Sequence, residues 1–124
     1  MIIIRAEDVK AHWTPPPHHR ELKVLLSPSV HDVTTGLGMG MVILPPGECG
    51  NPHTHPDAQE TWFVISGKGS LSVGEEKVEL TPDSVAVAPM GVEHQIFSSA
   101  EEPLKALFIF TPAGPEAQYL PEER

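Results

Sequence analysis

Hydrophobic and polar residues alternate in this chain over short stretches, and nearly every stretch stops at a glycine or a proline. Residues 21–27, ELKVLLS, read as a first strand. Residues 36–44, GLGMGMVIL, alternate small and apolar side chains, so Met39, Met41 and Ile43 share one face of a second. In ETWFVISG, residues 60–67, Glu60, Trp62 and Val64 lie on one side and Phe63 and Ile65 on the other. SLSV, KVEL, SVAVA, HQIF and LKALFIF follow, set apart by GKG, GEE and Pro-Met-Gly turns. Period-two alternation with turn signals every roughly 8–12 residues predicts an all-β sandwich or barrel of antiparallel sheets. Phe108 and Phe110 alternate with Leu107 and Ile109, so this strand is apolar on both faces. Phe63, Ile65, Phe108 and Phe110 together predict an outer apolar patch that a homodimer would cover.

The ends of the chain read differently. Residues 1–20 form an N-terminal arm in which HWTPPPHHR favours extended polyproline geometry. Residues 21–112 make the barrel, and residues 113–124 a tail that is either a short helix or an ordered flap. At 124 residues the chain makes one domain, and its 14 prolines and 10 glycines suit strands and turns better than helices. No apolar run approaches the ~18 residues of a membrane span, and MIIIRAEDVK lacks the pattern of a secretory signal. The expectation is a soluble cytoplasmic protein. A single cysteine, Cys49, excludes an internal disulfide and suits a reducing compartment. The formal net charge of −9 argues against a nucleic-acid surface, but serves solubility too commonly to identify a substrate.

The stretch from Gly47 to Gly67, GECGNPHTHPDAQETWFVISG, holds His53 and His55 two residues apart and Glu60 five further on. On an extended backbone His53 and His55 share a face, and a carboxylate on the following strand adds a third leg to a metal site. His94, in PMGVEHQ, is the candidate fourth ligand.

The spacing filled by Gly47, His53, His55, Glu60 and Gly67 resembles the first motif of the cupins, G-x5-H-x-H-x4-E-x6-G. Their second motif, G-x5-P-x-G-x2-H-x3-N, is matched at Pro89, Gly91 and His94. Asp83 stands where that motif has glycine and Ser98 where it has asparagine, which bears on turn geometry more than on ligands. The resemblance implies a small jelly-roll barrel of two antiparallel sheets with His53, His55, Glu60 and His94 in its mouth. It also favours barrels paired as a homodimer. Three imidazoles and a carboxylate leave two positions open on an octahedral ion, which suits one divalent Fe, Mn, Ni, Co or Zn per chain.

Other residues carry weaker signals. Met41 and Trp62 could line a substrate pocket, although core packing explains such side chains equally well. Cys49, four residues before His53, reads as a bystander in a turn. His18 and His19 read as an exposed pair on a flexible arm, with folding over the barrel mouth as the alternative. Gln59 and Glu93 point away from the faces of Glu60 and His94, so no dedicated general base is evident. Two function classes remain. One is a metalloenzyme acting on a small oxygenated or carbonyl compound, as a dioxygenase, isomerase, decarboxylase, lyase or polyketide cyclase. The other is a non-catalytic module that binds a sugar or small acid through the metal.

Overall fold

The computed structural model describes residues 1–33 and 35–121. Among the described residues nine strands run in chain order: β1 (His12–Trp13), β2 (Glu21–Leu26), β3 (Gly38–Leu44), β4 (Gln59–Ser66), β5 (Gly69–Val73), β6 (Glu76–Leu80), β7 (Val85–Ala88), β8 (His94–Ser98) and β9 (Leu104–Thr111). They form a six-stranded sheet, ordered β1-β2-β3-β9-β4-β7, and a three-stranded sheet, β6-β5-β8. All pairings are antiparallel. The fold is therefore the two-sheet barrel that the alternation predicts. Among the described residues no helix is long and apolar enough to cross a membrane.

The inner face follows strict alternation in β9, where Leu104, Ala106, Phe108 and Phe110 are buried and the residues between them are half-exposed. They pack with Leu22, Val42, Leu44, Trp62, Val64, Leu71 and Ile96 into one core. Each large apolar side chain removed from water there contributes about 1.5–3 kcal/mol. Phe108 and Phe110 consequently point inward, not into the outer patch that the sequence suggests; Leu107 and Ile109 take the outer positions beside Phe63. The reason lies across the sheet. Gly40 pairs with Phe108 and Gly38 with Phe110. A Cβ on Gly40 would overlap the Phe108 ring. Gly40 therefore faces inward to make room for Phe108, and Gly38 for the Glu116 carboxylate, while Met39 and Met41 take the other face of the strand, where Met41 is nonetheless buried.

The motif glycines sit where side chains are strained. Gly47, Gly67 and Gly91 have φ of 73°, 88° and 74°, in the left-handed region that glycine enters at little cost. Asp83, standing for a motif glycine, has φ of 66°, a conformation that short polar aspartate tolerates better than most residues. Ser98, standing for asparagine, ties a loop: its hydroxyl meets the Pro45 carbonyl at 2.5 Å and the Glu48 amide at 3.0 Å.

The N-terminal arm and the described part of the tail both pack against the barrel. β1 pairs with β2 through His12–Leu22 and Trp13–Glu21. His18 and His19 are half-buried and partnered, which corrects the expectation of an exposed pair. His19 stacks on Trp13 with ring centroids 5.0 Å apart, and His18 Nδ1 lies 3.2 Å from the Cys49 carbonyl. In the tail, Pro115–Tyr119 form one 3-10 turn, and residues 122–124 lie outside the described residues.

Candidate metal centre

His53, His55, Glu60 and His94 come together, each offering a ligand atom within 4.8 Å of all the others. Three different parts of the chain deliver them. Glu60 stands on β4 between Ala88 of β7 and Phe110 of β9, facing inward with Trp62 and Val64. His94 opens β8 in the smaller sheet. His53 belongs to the loop before β4 and is held by a two-bond backbone bridge to His94, with N···O distances of 3.0 and 2.9 Å. That bridge sets the two imidazoles side by side, with ring centroids 4.4 Å apart and planes crossing at 71°. The His55 carbonyl accepts the Gly91 amide at 2.9 Å, so the second motif's glycine turn fixes the third histidine.

The protonation states follow from the partners. His53 Nδ1 lies 2.7 Å from the Asn51 carbonyl and His94 Nδ1 lies 3.2 Å from the Val92 carbonyl. A carbonyl only accepts, so both Nδ1 atoms carry the proton and both Nε2 atoms present lone pairs. Those two Nε2 atoms stand 3.0 Å apart, and His94 Nε2 is also 3.0 Å from Glu60 Oε1. His55 Nε2 is buried without a hydrogen bond, 3.4 Å from the same oxygen. Lone pairs from neutral imidazoles and a carboxylate thus converge on one point with too few protons between them. A cation at that point satisfies all four at once, so the donor set fits a divalent transition-metal ion.

Glu60 is buried, and burial alone would push its carboxyl up. When no cation occupies the point and the rings of His53, His55 and His94 take up a proton at Nε2, their donation to the carboxylate and the charge of His94 outweigh burial and hold it down at about 2. The carboxylate is therefore ionised across the physiological range. Trp62 and Phe110 wall the centre, with ring centroids 5.2 Å from His94 and 4.8 Å from His55 respectively.

Beside the ligands lies a small cavity of about 20 Å³, bordered by His53, Glu60, His94, Trp62, Arg20 and Tyr119. That volume holds about one water-sized group. A more open groove of about 280 Å³ borders His55, between Asp57 and Pro115. Of the two candidate pocket residues, Trp62 lines the cavity and Met41 does not. Met41 pairs with Leu107 on the face of β3 turned away from the cavity and is buried there, as packing requires, and its neighbour Val42 takes the place facing the cavity. Arg20 and Tyr119 are cavity residues that motif reasoning missed. They come from the two segments with no strand pattern, and only the isolated tyrosine in AQYL hints at a buried ring in the tail.

The chain matches the family model of the cupin domain over residues 40–110. It is 28% identical over 96 residues to the polyketide synthase CurC of Streptomyces cyaneus, an alignment covering 77% of this chain and 62% of that protein. The chain thus spans under two-thirds of that relative. The fold superimposes on a predicted oxalate decarboxylase from Thermotoga maritima with a TM-score of 0.79 at 19% identity, covering 90% of this chain and 99% of the other. The polyketide cyclase RemF from Streptomyces resistomycificus gives 0.78 at 18%, covering 93% and 82%. With the matched segment running from Gly40 to Phe110 and holding all four convergent donors, the chain belongs to the cupins.

Proposed function

We propose that this cupin is a metal-dependent enzyme acting on a small oxygenated or carbonyl compound, with His53, His55, Glu60 and His94 as the ligands of one divalent transition metal. The observation that carries the reading is the set of unshared lone pairs meeting at one buried point, which only a cation relieves economically. When bound, such an ion supplies Lewis acidity toward an oxygen of the substrate. The chain's own residues do the remainder. The Asn51 and Val92 carbonyls hold His53 and His94 in the metal-binding tautomer. Trp62, Phe108 and Phe110 keep bulk water from the inner side of the site, and Trp62 packs against whatever ligand enters the cavity. Similarity to proteins named for polyketide synthesis and cyclisation supports a carbonyl-rich substrate over a sugar. The free thiol of Cys49 supports a cytoplasmic setting.

The tight cavity favours one other reading, a module that captures a small ligand on the metal without turning it over. Purification without chelators, metal analysis, and a turnover screen over keto acids and polyphenolic carbonyl compounds separate the two. Turnover that disappears on stripping the metal supports the enzyme. Metal-dependent ligand binding with no turnover across the screen supports the module. We also propose a homodimer through the outer face of the large sheet, supported by half-buried Met39, Phe63, Leu107 and Ile109 on the single chain. Sedimentation at micromolar concentration reads it directly, and a monomer there would refute it.

A further inference from the structure

Arg20 is an unusual residue to find beside this centre. It is 4% exposed, yet every partner of its guanidinium is neutral. Nη1 donates to the Thr14 hydroxyl and the His18 carbonyl, each at 3.3 Å, and Nη2 donates to Asn51 Oδ1 at 3.3 Å. Among the described residues no carboxylate lies within ion-pair distance of it. Its central carbon lies 5.8 Å from the centre of the Tyr119 ring. A buried cation without a counter-ion is costly, and chains retain one where it meets an anion from outside.

The placement says which anion. Arg20 and Tyr119 border the same small cavity as His53, Glu60 and His94, so an oxygen entering from the metal side faces both. Burial first, and the charge of Glu60 second, push the Tyr119 hydroxyl's pKa up, while Arg20 pulls it down more weakly. The phenol therefore keeps its proton and donates. Glu60 already supplies negative charge to the centre, so the arginine does not serve to balance the metal. We propose that Arg20 and Tyr119 form a subsite that binds the carboxylate of the substrate next to the metal, so that the enzyme's substrates are small carboxylic acids in their ionised form. The guanidinium offers a planar fork of donors that matches a two-oxygen acceptor, and Lys at that position would not. The inference rests on the metal-centre reading for the site's neighbour, but the subsite is made by this chain's own residues.

Asn51 gives the proposal its cleanest handle. Its amide oxygen is the one side-chain carbonyl on the guanidinium. Asn51→Asp would place a permanent counter-ion there, with the same shape and with the backbone carbonyl that orients His53 left in place. The experiment is calorimetric titration of formate, with formamide as the neutral control. It uses wild type, Asn51→Asp, Arg20→Gln and Tyr119→Phe, each cobalt-loaded and metal-free, with cobalt affinity measured separately. The expected result is formate binding to the wild type, no binding of formamide, and at least a tenfold loss of formate affinity in Arg20→Gln and Asn51→Asp. Tyr119→Phe should lose severalfold, and cobalt affinity in Arg20→Gln should stay within a factor of about three. If Arg20→Gln fails to fold, Asn51→Asp and Tyr119→Phe decide alone. Cobalt-loaded wild type that binds no formate overturns the subsite, as does equal formate affinity in wild type and Asn51→Asp. Protein that takes no cobalt yet binds formate in an Arg20-dependent way overturns the metal reading and keeps the subsite. A chain that takes neither overturns both.

Discussion

Among the described residues two glutamates are buried in this barrel, and they live in opposite surroundings. Glu116, in the 3-10 turn of the tail, is 1% exposed; its Oε2 accepts from the Ser27 hydroxyl at 2.5 Å and its Oε1 from the Gly114 amide at 2.7 Å. Every contact it makes is a donor aimed at an acceptor. Glu60 is 5% exposed and faces three imidazoles, two of which spend their ring proton on backbone carbonyls elsewhere. Glu116 is a finished hydrogen-bond node that fastens the tail over Gly38, whose missing Cβ leaves room for the carboxylate. Glu60 belongs to a set that is complete only with a cation. Burial of a carboxylate therefore says little by itself, and the balance of donors and acceptors around it separates a structural role from a ligand.

The largest effect should come from removing a ligand at the centre of the acceptor-rich set. His94→Ala takes away the imidazole that touches both His53 and Glu60. Metal affinity should fall by more than the roughly 10–100-fold that loss of a supporting partner costs. Zinc or cobalt titration against a competing chelator reads it, and an unchanged affinity would remove His94 from the site.

Next come the paired substitutions of the glutamates themselves. Glu116→Gln replaces two charge-assisted bonds with weaker ones and sets an amide donor against donors, costing about 1.5–3 kcal/mol of stability while leaving metal affinity alone. Glu60→Gln should weaken metal binding, and in the metal-free protein at neutral pH it should also forfeit the stability that the ionised carboxylate contributes, so metal affinity is the reading that separates the pair. Melting curves with and without chelator, on both variants, test the pair. Two glutamates that behave alike would erase the distinction.

Acid should also separate them. Below about pH 6, protons compete with metal for the three imidazoles, so affinity should fall steeply. In the metal-free protein the Glu60 carboxyl sits at about 2 against an ordinary 4.5. A depressed folded-state pKa means stability that is present above pH 4.5 and is lost as pH falls toward 2. Denaturant melts of chelated wild type should show that loss, and Glu60→Gln should show less of it. Full metal occupancy at pH 4 would contradict histidine ligation.

The smallest expected effect is Ser27→Ala, which removes one neutral donor from Glu116 and should cost about 1–3 kcal/mol, at the lower end if water replaces the hydroxyl. Because the same turn carries Tyr119, the variant should also loosen the ring beside Arg20. Tyrosine fluorescence and urea melts read both changes.

Much of the centre was legible in the sequence because its information is local. His53, His55 and Glu60 fall within eight residues, and their glycine turns announce the geometry by the left-handed φ that Gly47, Gly67 and Gly91 adopt. Alternation also fixed the strands, but alternation alone does not say which face turns inward. In GLGMGMVIL the alternation puts Met39, Met41 and Ile43 on one face without saying which, and the Phe108 ring opposite Gly40 shows that the glycine face is the inner one. The same ambiguity put Phe108 and Phe110 outside; Met41, open to either pocket lining or packing, is buried away from the cavity. Arg20 and Glu116 were not legible, and Tyr119 only as an isolated ring in the tail. Each is buried by contacts across long sequence separations, Ser27 to Glu116 and Arg20 to Asn51 among them, and no local pattern encodes those.

The central claim is that the four convergent donors hold one divalent transition metal. X-ray absorption on protein stripped and then reloaded with one equivalent of zinc or cobalt tests it most directly, read beside stoichiometry from the same sample. The account predicts one tightly bound ion per chain, with an inner shell of nitrogen and oxygen at about 2.0–2.2 Å, imidazole scattering from three rings, and no sulfur. A spectrum of a hydrated ion, a cysteine-sulfur shell, or the same signal from His94→Ala would contradict it.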